Sequence, residues 1–221
     1  MPRTRRRPSW WIGLALVAGG LGVLAWLGWQ FWGTNWAAKR THDRISEQVH
    51  RAWDDGGSRR EAVVEVPEGD VLALVRIPEL GEDFEVPVLS GTSDEVLASG
   101  LGHFPDTAGP GEEGNFALAG HRITHGEPLR DLPDLEVGDE VVVETRDATY
   151  TYRLVTDGDA LEVPFTETWV LGKLPDNPED GGVEPDPVPG SRLLTLTTCA
   201  ELFHTDDRMI AFAELVERTP R

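Results

Sequence analysis

The single cysteine, Cys199, ends the run Leu193-Leu194-Thr195-Leu196-Thr197-Thr198-Cys199. Its apolar and β-branched residues predict a strand with the thiol at its C-terminal end. Nine positions later Arg208 opens a second such run, Met209–Val216, after the polar connection Glu201–Asp207. If these strands pair as neighbours, a guanidinium stands beside a thiol. A fixed cation there favours thiolate, and its donors suit a developing oxyanion. Plainer readings stay open: an inert buried cysteine, and an ordinary surface ion pair of Arg208 with Asp206 or Asp207.

Covalent chemistry by a thiol also needs a proton carrier, and six histidines are available: His42, His50, His103, His121, His125 and His204. His121 follows the short apolar run Asn115–Ala119 and Gly120, where a strand end can deliver a side chain to a rim. Histidine suits general acid–base work near neutrality, and Cys–His is a standard nucleophilic pair. His121-Arg122-Ile123-Thr124-His125 has the outer spacing of the HExxH zinc motif. Its second position is Arg instead of the Glu base and glycines flank it, so zinc hydrolysis is disfavoured and no metal ligand is assigned.

The elements that must position these residues read mostly as short strands. Val71–Ile77, Phe84–Leu89 (with Pro87 suiting an edge or bulge), Asn115–Ala119, Arg192–Thr198 and Met209–Val216 fit the pattern, and Glu140–Thr145 with Thr149–Thr156 reads as a hairpin through Arg146-Asp147-Ala148. Ser93–Ser99 predicts a helical turn capped by Ser93, with Val96 and Leu97 inward, and Leu129–Leu135 a short helix. The fold class expected is mostly β, a closed seven- to eight-stranded barrel with short helices, after an N-terminal transmembrane helix and stalk. Residues 160–190 form a long connection, and Asp176–Pro187 holds five acids and three prolines. That stretch reads either as a solvated surface loop or as a wall or lid of a groove.

Residues 10–32 carry no charge, and six of the eight tryptophans lie in or beside them. At about 1.5 Å per residue the stretch spans a hydrocarbon core of about 30 Å. Its length and bulky end argue for an uncleaved anchor over a secretory signal. Four arginines precede it, against Lys39, Arg40 and Arg44 beyond, which favours a cytoplasmic N-terminus. The expected organisation is a basic tail over 1–9, an anchor over 10–32, a stalk over 33–69 and a catalytic barrel over 70–218. In the stalk, Ile45, Val49 and Ala52 recur at helical spacing, and nothing there suggests chemistry. Beyond residue 32 the chain has 16 basic and 39 acidic side chains, a net charge of −23. Such a body repels phosphate backbones, which argues against nucleic-acid binding. One cysteine excludes an intrachain disulfide.

Two segments together resemble one family. Ala119-Gly120-His121-Arg122, followed by Gly126, Pro128-Leu129, Leu132, Leu135 and Gly138-Asp139, is similar to the sortase histidine segment. Thr195-Leu196-Thr197-Thr198-Cys199 with Arg208 resembles the sortase Thr-Leu-x-Thr-Cys signature and its downstream arginine. The likeness covers about residues 70–217 and leans toward the class E, housekeeping type of high-GC Gram-positive bacteria, in keeping with 18 arginines to 2 lysines. His125, where class E members often carry tyrosine, and a long loop around Asp176–Pro189 depart from that pattern.

The resemblance implies a membrane-anchored cysteine transpeptidase, facing outside the cell. Cys199 would cleave an LPxTG- or LAxTG-like sorting signal between Thr and Gly through a thioester. Arg208 would stabilise the oxyanion, His121 would serve as acid and base, and Thr198 would line the groove. The acceptor would be a peptidoglycan-precursor amine, with a pilin lysine as alternative. No cofactor is implied, and the acids show no calcium-ligand spacing. An L,D-transpeptidase, whose cysteine segment normally reads like Ser-His-Gly-Cys, and a non-catalytic anchored binding module are the competing readings.

Overall fold

A strand with apolar or β-branched residues at nearly every position must be covered on both faces, and Arg192–Cys199 meets that demand. In the computed structural model, which describes residues 8–29, 33–54, 64–200 and 206–221, every residue from Leu193 to Thr198 of this strand is buried. Around it the strands, in chain order, are β1 (Val64–Val66), β2 (Gly69–Arg76), β3 (Val86–Ser90), β4 (Leu101–His103), β5 (Gly114–Ala119), β6 (Glu140–Glu144), β7 (Ala148–Leu154), β8 (Leu161–Pro164), β9 (Arg192–Cys199) and β10 (Asp207–Pro220). Eight of them, β2-β3-β4-β5-β9-β10-β7-β6, close into a barrel when β6 pairs back onto β2, Leu74 opposite Glu144. β1 extends β2 and β8 pairs the start of β10. The expected closed barrel is present; β1, β4 and β8 were not anticipated as strands.

Pro87 falls inside β3, one residue before β3 begins its parallel pairing with β4 at Val88. The stretch is internal instead of an edge, and the register irregularity lies opposite it, between Val71 and Ala73 of β2. The expected turn at Ser93 is α3 (Asp94–Leu97), whose Val96 N–H donates to Ser93 Oγ. The expected helix over Leu129–Leu135 is reduced to one 3-10 turn, Leu132–Asp134.

Three apolar clusters hold the molecule together. The barrel interior is filled by side chains including Phe116, Leu118, Tyr152, Leu194 and Leu196. A second cluster, on the outer face of β2 and β3, is completed by α2 (Thr34–Asp54), which contributes Ile45, Val49 and Trp53 against Val71, Leu74, Leu89 and Val96. Where the sequence suggests a spacer, this helix packs on the barrel, with Trp53 buried and Ala52 exposed. The third cluster covers the outer face of β10 with Leu161, Val163 and Val170 over Ile210 and Phe212. Buried Asn115 anchors that cover by donating to the carbonyls of Val170 (3.0 Å) and Gly172 (3.1 Å).

The first part of the long 160–190 connection therefore contributes Leu161, Val163 and Val170 to the core, while residues 164–168 between them are exposed. Residues 176–187 are mostly exposed or half-buried, as the surface-loop alternative expects. Preceding all of this, α1 (Pro8–Gly28) contains Trp10–Gly28, the one helix among the described residues long and apolar enough to cross a membrane, and none of it is buried in the protein. Residues 30–32 of the expected anchor lie outside the described residues.

Candidate active site

Strand register brings the three candidate residues to one rim. β5 runs parallel to β9 with Ala119 opposite Thr197, and Gly120 N–H continues the ladder to the Thr197 carbonyl at 3.0 Å. Cys199 ends β9, and His121 follows two residues after the end of β5, so the two leave the seam on the same side. On the other side β10 is antiparallel to β9, and Arg208 is the direct cross-strand partner of Cys199. Partners so placed have Cβ atoms about 4.5–5.5 Å apart.

All three border a cavity of about 390 Å³. One wall is apolar, built by Val163, Phe165, Val170 and Leu171 from the 160–172 segment, and Leu97 and Phe104 line it as well. Phe165 is 61% exposed. The wall therefore comes from residues 160–172 and not from Asp176–Pro187, the stretch for which a wall or lid was the alternative; Asp176, Glu184, Asp186 and Pro187 border a separate depression.

Cys199 is a free, half-buried thiol. Arg208 Nη1 donates to the Asp207 carbonyl at 3.1 Å. His121 is half-buried, its ring centroid 4.8 Å from that of His125. Its pKa is held below the ordinary 6.5, first by desolvation and then by the charge of His125, with Asp94 pulling the other way. A neutral imidazole is thereby favoured at pH 7, the form that can accept a proton.

The backbone beneath these side chains is tied across the β5–β9 seam. Thr198, only 2% exposed, borders the cavity, but its hydroxyl donates to the Gly120 carbonyl at 2.8 Å. Gly120 is closely packed: an added Cβ would lie 2.6 Å from a Leu101 methyl and 3.0 Å from Leu129, so those leucines would have to shift. Arg122 reaches from the histidine segment to the cysteine segment, where Nη1 donates to the carbonyl of Ala200 and, at 3.4 Å, to that of Cys199. Its role was not foreseen; a cation directly after the candidate histidine was the available signal.

The remaining histidines have other places. His103 is buried in β4 with Nε2 against the Ala108 carbonyl and Thr107 Oγ1. His50 pairs with Glu85 at 3.1 Å. His42 is buried in α2, and His204 lies outside the described residues. His121–His125 is not helical, which removes the geometry of the zinc motif. Among the described residues no three His, Cys, Asp or Glu side chains converge as a metal-binding group.

Residues 75–216 match the family model described as the Sortase domain. The chain is 36% identical over 217 residues to Sortase SrtE1 of Streptomyces coelicolor, which covers 95% of this chain and 58% of that protein. Sortase SrtE2 of the same organism is 28% identical, over 95% of this chain and 85% of the relative. The structure of sortase E from Streptomyces avermitilis superposes with a TM-score of 0.60 at 36% identity, covering 71% of this chain and 93% of that one. Sortase E1 from Streptomyces coelicolor, solved with a tripeptide in its active site, gives a TM-score of 0.58 at 36% identity over 72% of this chain and 94% of that one.

Proposed function

Because the chain belongs to the sortase family, we propose that it is a cysteine transpeptidase of the class E type, cleaving an LPxTG- or LAxTG-like sorting signal between Thr and Gly. The observation that carries this reading is the arrival of His121, Cys199 and Arg208 from three neighbouring strands at one cavity. The solved relative with a tripeptide in its active site supports a peptide as the ligand.

In the first half-reaction neutral His121 accepts the Cys199 thiol proton, and the resulting thiolate attacks the threonine carbonyl carbon, forming the C–S bond. Negative charge develops on the carbonyl oxygen, where the Arg208 guanidinium offers planar N–H donors. The C–N bond then breaks, and protonated His121 gives its proton to the departing glycine amine. This leaves a thioester on Cys199 and neutral His121. In the second half, an amine attacks the thioester carbonyl and His121 takes up its proton while the thiolate departs. A peptidoglycan-precursor amine is the proposed acceptor, with a pilin lysine as the competing one. Thr198 supports the groove floor through its bond to Gly120.

The apolar helix Trp10–Gly28 supports membrane anchoring, and the flanking charges support a cytoplasmic N-terminus with the barrel outside. Incubating the protein with LxxTG peptides and a peptidoglycan-stem amine, with products read by mass, tests the assignment. Cleavage after threonine and ligation to the amine are expected. A panel that yields neither product, from a folded protein, would reject it.

A further inference from the structure

The segment that follows His121 has an unusual backbone. His125, Gly126 and Glu127 are consecutive residues in the left-handed region, at φ of 53°, 86° and 54°. Non-glycine residues held there cost free energy, and surrounding contacts must impose the conformation. Those contacts come from α2, about 90 residues earlier in the chain. Asn35, in its first turn, accepts from the Gly126 N–H at 3.1 Å through Oδ1 and donates through Nδ2 to Glu127 Oε1. One turn and more along, His42 lies so close to Gly126 that an added Cβ would sit 2.7 Å from its ring, with Ala38 at 3.4 Å. The turn thus grasped carries the His125 ring that lies 4.8 Å from His121.

We propose that Asn35 is a positioning residue for His121, so that the helix following the apolar segment is part of the catalytic unit and not a spacer. The inference rests on the proposed role of His121. Both polar atoms of one amide grip two adjacent residues of a strained turn, and that turn sets where the His125 ring meets His121. Asp94 from α3 also acts on His121, and Cys199, Arg208 and Glu167 line the same cavity.

The test uses the full chain in detergent micelles. Asn35→Asp removes the donor to Glu127 and sets two carboxylates against each other. Asn35→Ala removes both bonds without adding charge, should the first variant fold poorly. Combining Asn35→Asp with Glu127→Gln exchanges donor and acceptor and restores both hydrogen bonds. Two quantities are read: peptide-cleavage kinetics, and the titration of the His121 Cε1 resonance by NMR. Asn35→Asp is expected to lower kcat about 10- to 100-fold, as small misplacements of a reacting group do, with KM nearly constant. The His121 titration should move up toward the ordinary 6.5. The exchanged pair, compared with Glu127→Gln alone, should recover both. An unmoved titration in folded Asn35→Asp and Asn35→Ala overturns the proposal whatever the kinetics show, and so does a loss that the exchanged pair leaves in place. If the titration shifts and recovers while wild type cleaves no sorting peptide, the clamp stands and the substrate reading fails.

Discussion

Arg122→Met isolates the bond between the two strands that carry the candidate nucleophile and acid. Methionine keeps an unbranched stem of comparable reach and removes every donor. In the wild type, Arg122 Nη1 serves the carbonyls of Ala200 and Cys199, and Ala200 is 6% exposed. Leaving one such buried acceptor unmet costs about 1–3 kcal/mol. The buried Arg122 Nε has no hydrogen-bond partner, so removing it offsets part of that cost. For a chain of this size each kcal/mol moves Tm by about 2–4 °C, which puts the expected drop at about 2–12 °C. Freeing the end of β9 by about 1 Å lowers cleavage by up to about 100-fold. Thermal unfolding followed by circular dichroism, together with peptide-cleavage kinetics at a temperature where both proteins are folded, reads the two effects. Arg122→Lys keeps one donor and should fall between. Thr198 ties the same seam, so Thr198→Val combined with Arg122→Met should depart from additivity by about 0.5–3 kcal/mol. An Arg122→Met protein with unchanged Tm and unchanged turnover would refute the reasoning.

Arg208→Lys keeps the charge but not the planar fork; turnover should drop about 10²–10³-fold, and full activity would reduce Arg208 to an ion-pairing residue. A truncated chain beginning at Val64 loses Ile45, Val49 and Trp53 from the cluster on β2 and β3. Its Tm should lie below that of one beginning at Thr34, and dye binding should report exposed apolar surface; equal Tm values would mean that α2 contributes no net docking energy. His42 is buried and its pKa is pushed down to about 4, first by desolvation and then by Lys39. The unfolded chain therefore binds the proton first. This contribution to stability is full above about pH 6.5 and lost progressively toward pH 4, by at most about 3 kcal/mol. His42→Leu should flatten the urea-unfolding midpoint over that range, and an unchanged pH slope would contradict it.

The site was legible because strand ends can be read locally. The Leu193–Cys199 run and Arg208 predicted paired strands, and the register makes Cys199 and Arg208 cross-strand partners. β4 and β8, of three and four residues, are too short to show periodicity, and their neighbours set them. Ile45 and Val49 announced a helix, yet the surface that buries them exists only once β2 and β3 have paired; hence the reading as a spacer. Residues 160–172 looked like loop because their apolar side chains are scattered, and Leu161, Val163 and Val170 among them become core only by covering Ile210 and Phe212 of β10. Asn35 gave no signal at all, since its partners Gly126 and Glu127 lie about 90 positions away.

The most direct measurement is intact-mass analysis of the protein mixed with an LPxTG or LAxTG peptide and quenched in acid. A covalent adduct carrying the peptide up to its threonine is expected, released by hydroxylamine as the hydroxamate and absent from Cys199→Ala, which should neither cleave nor transfer. Turnover by Cys199→Ala near the wild-type rate, or product without any thiol-bound intermediate, would contradict covalent catalysis by Cys199.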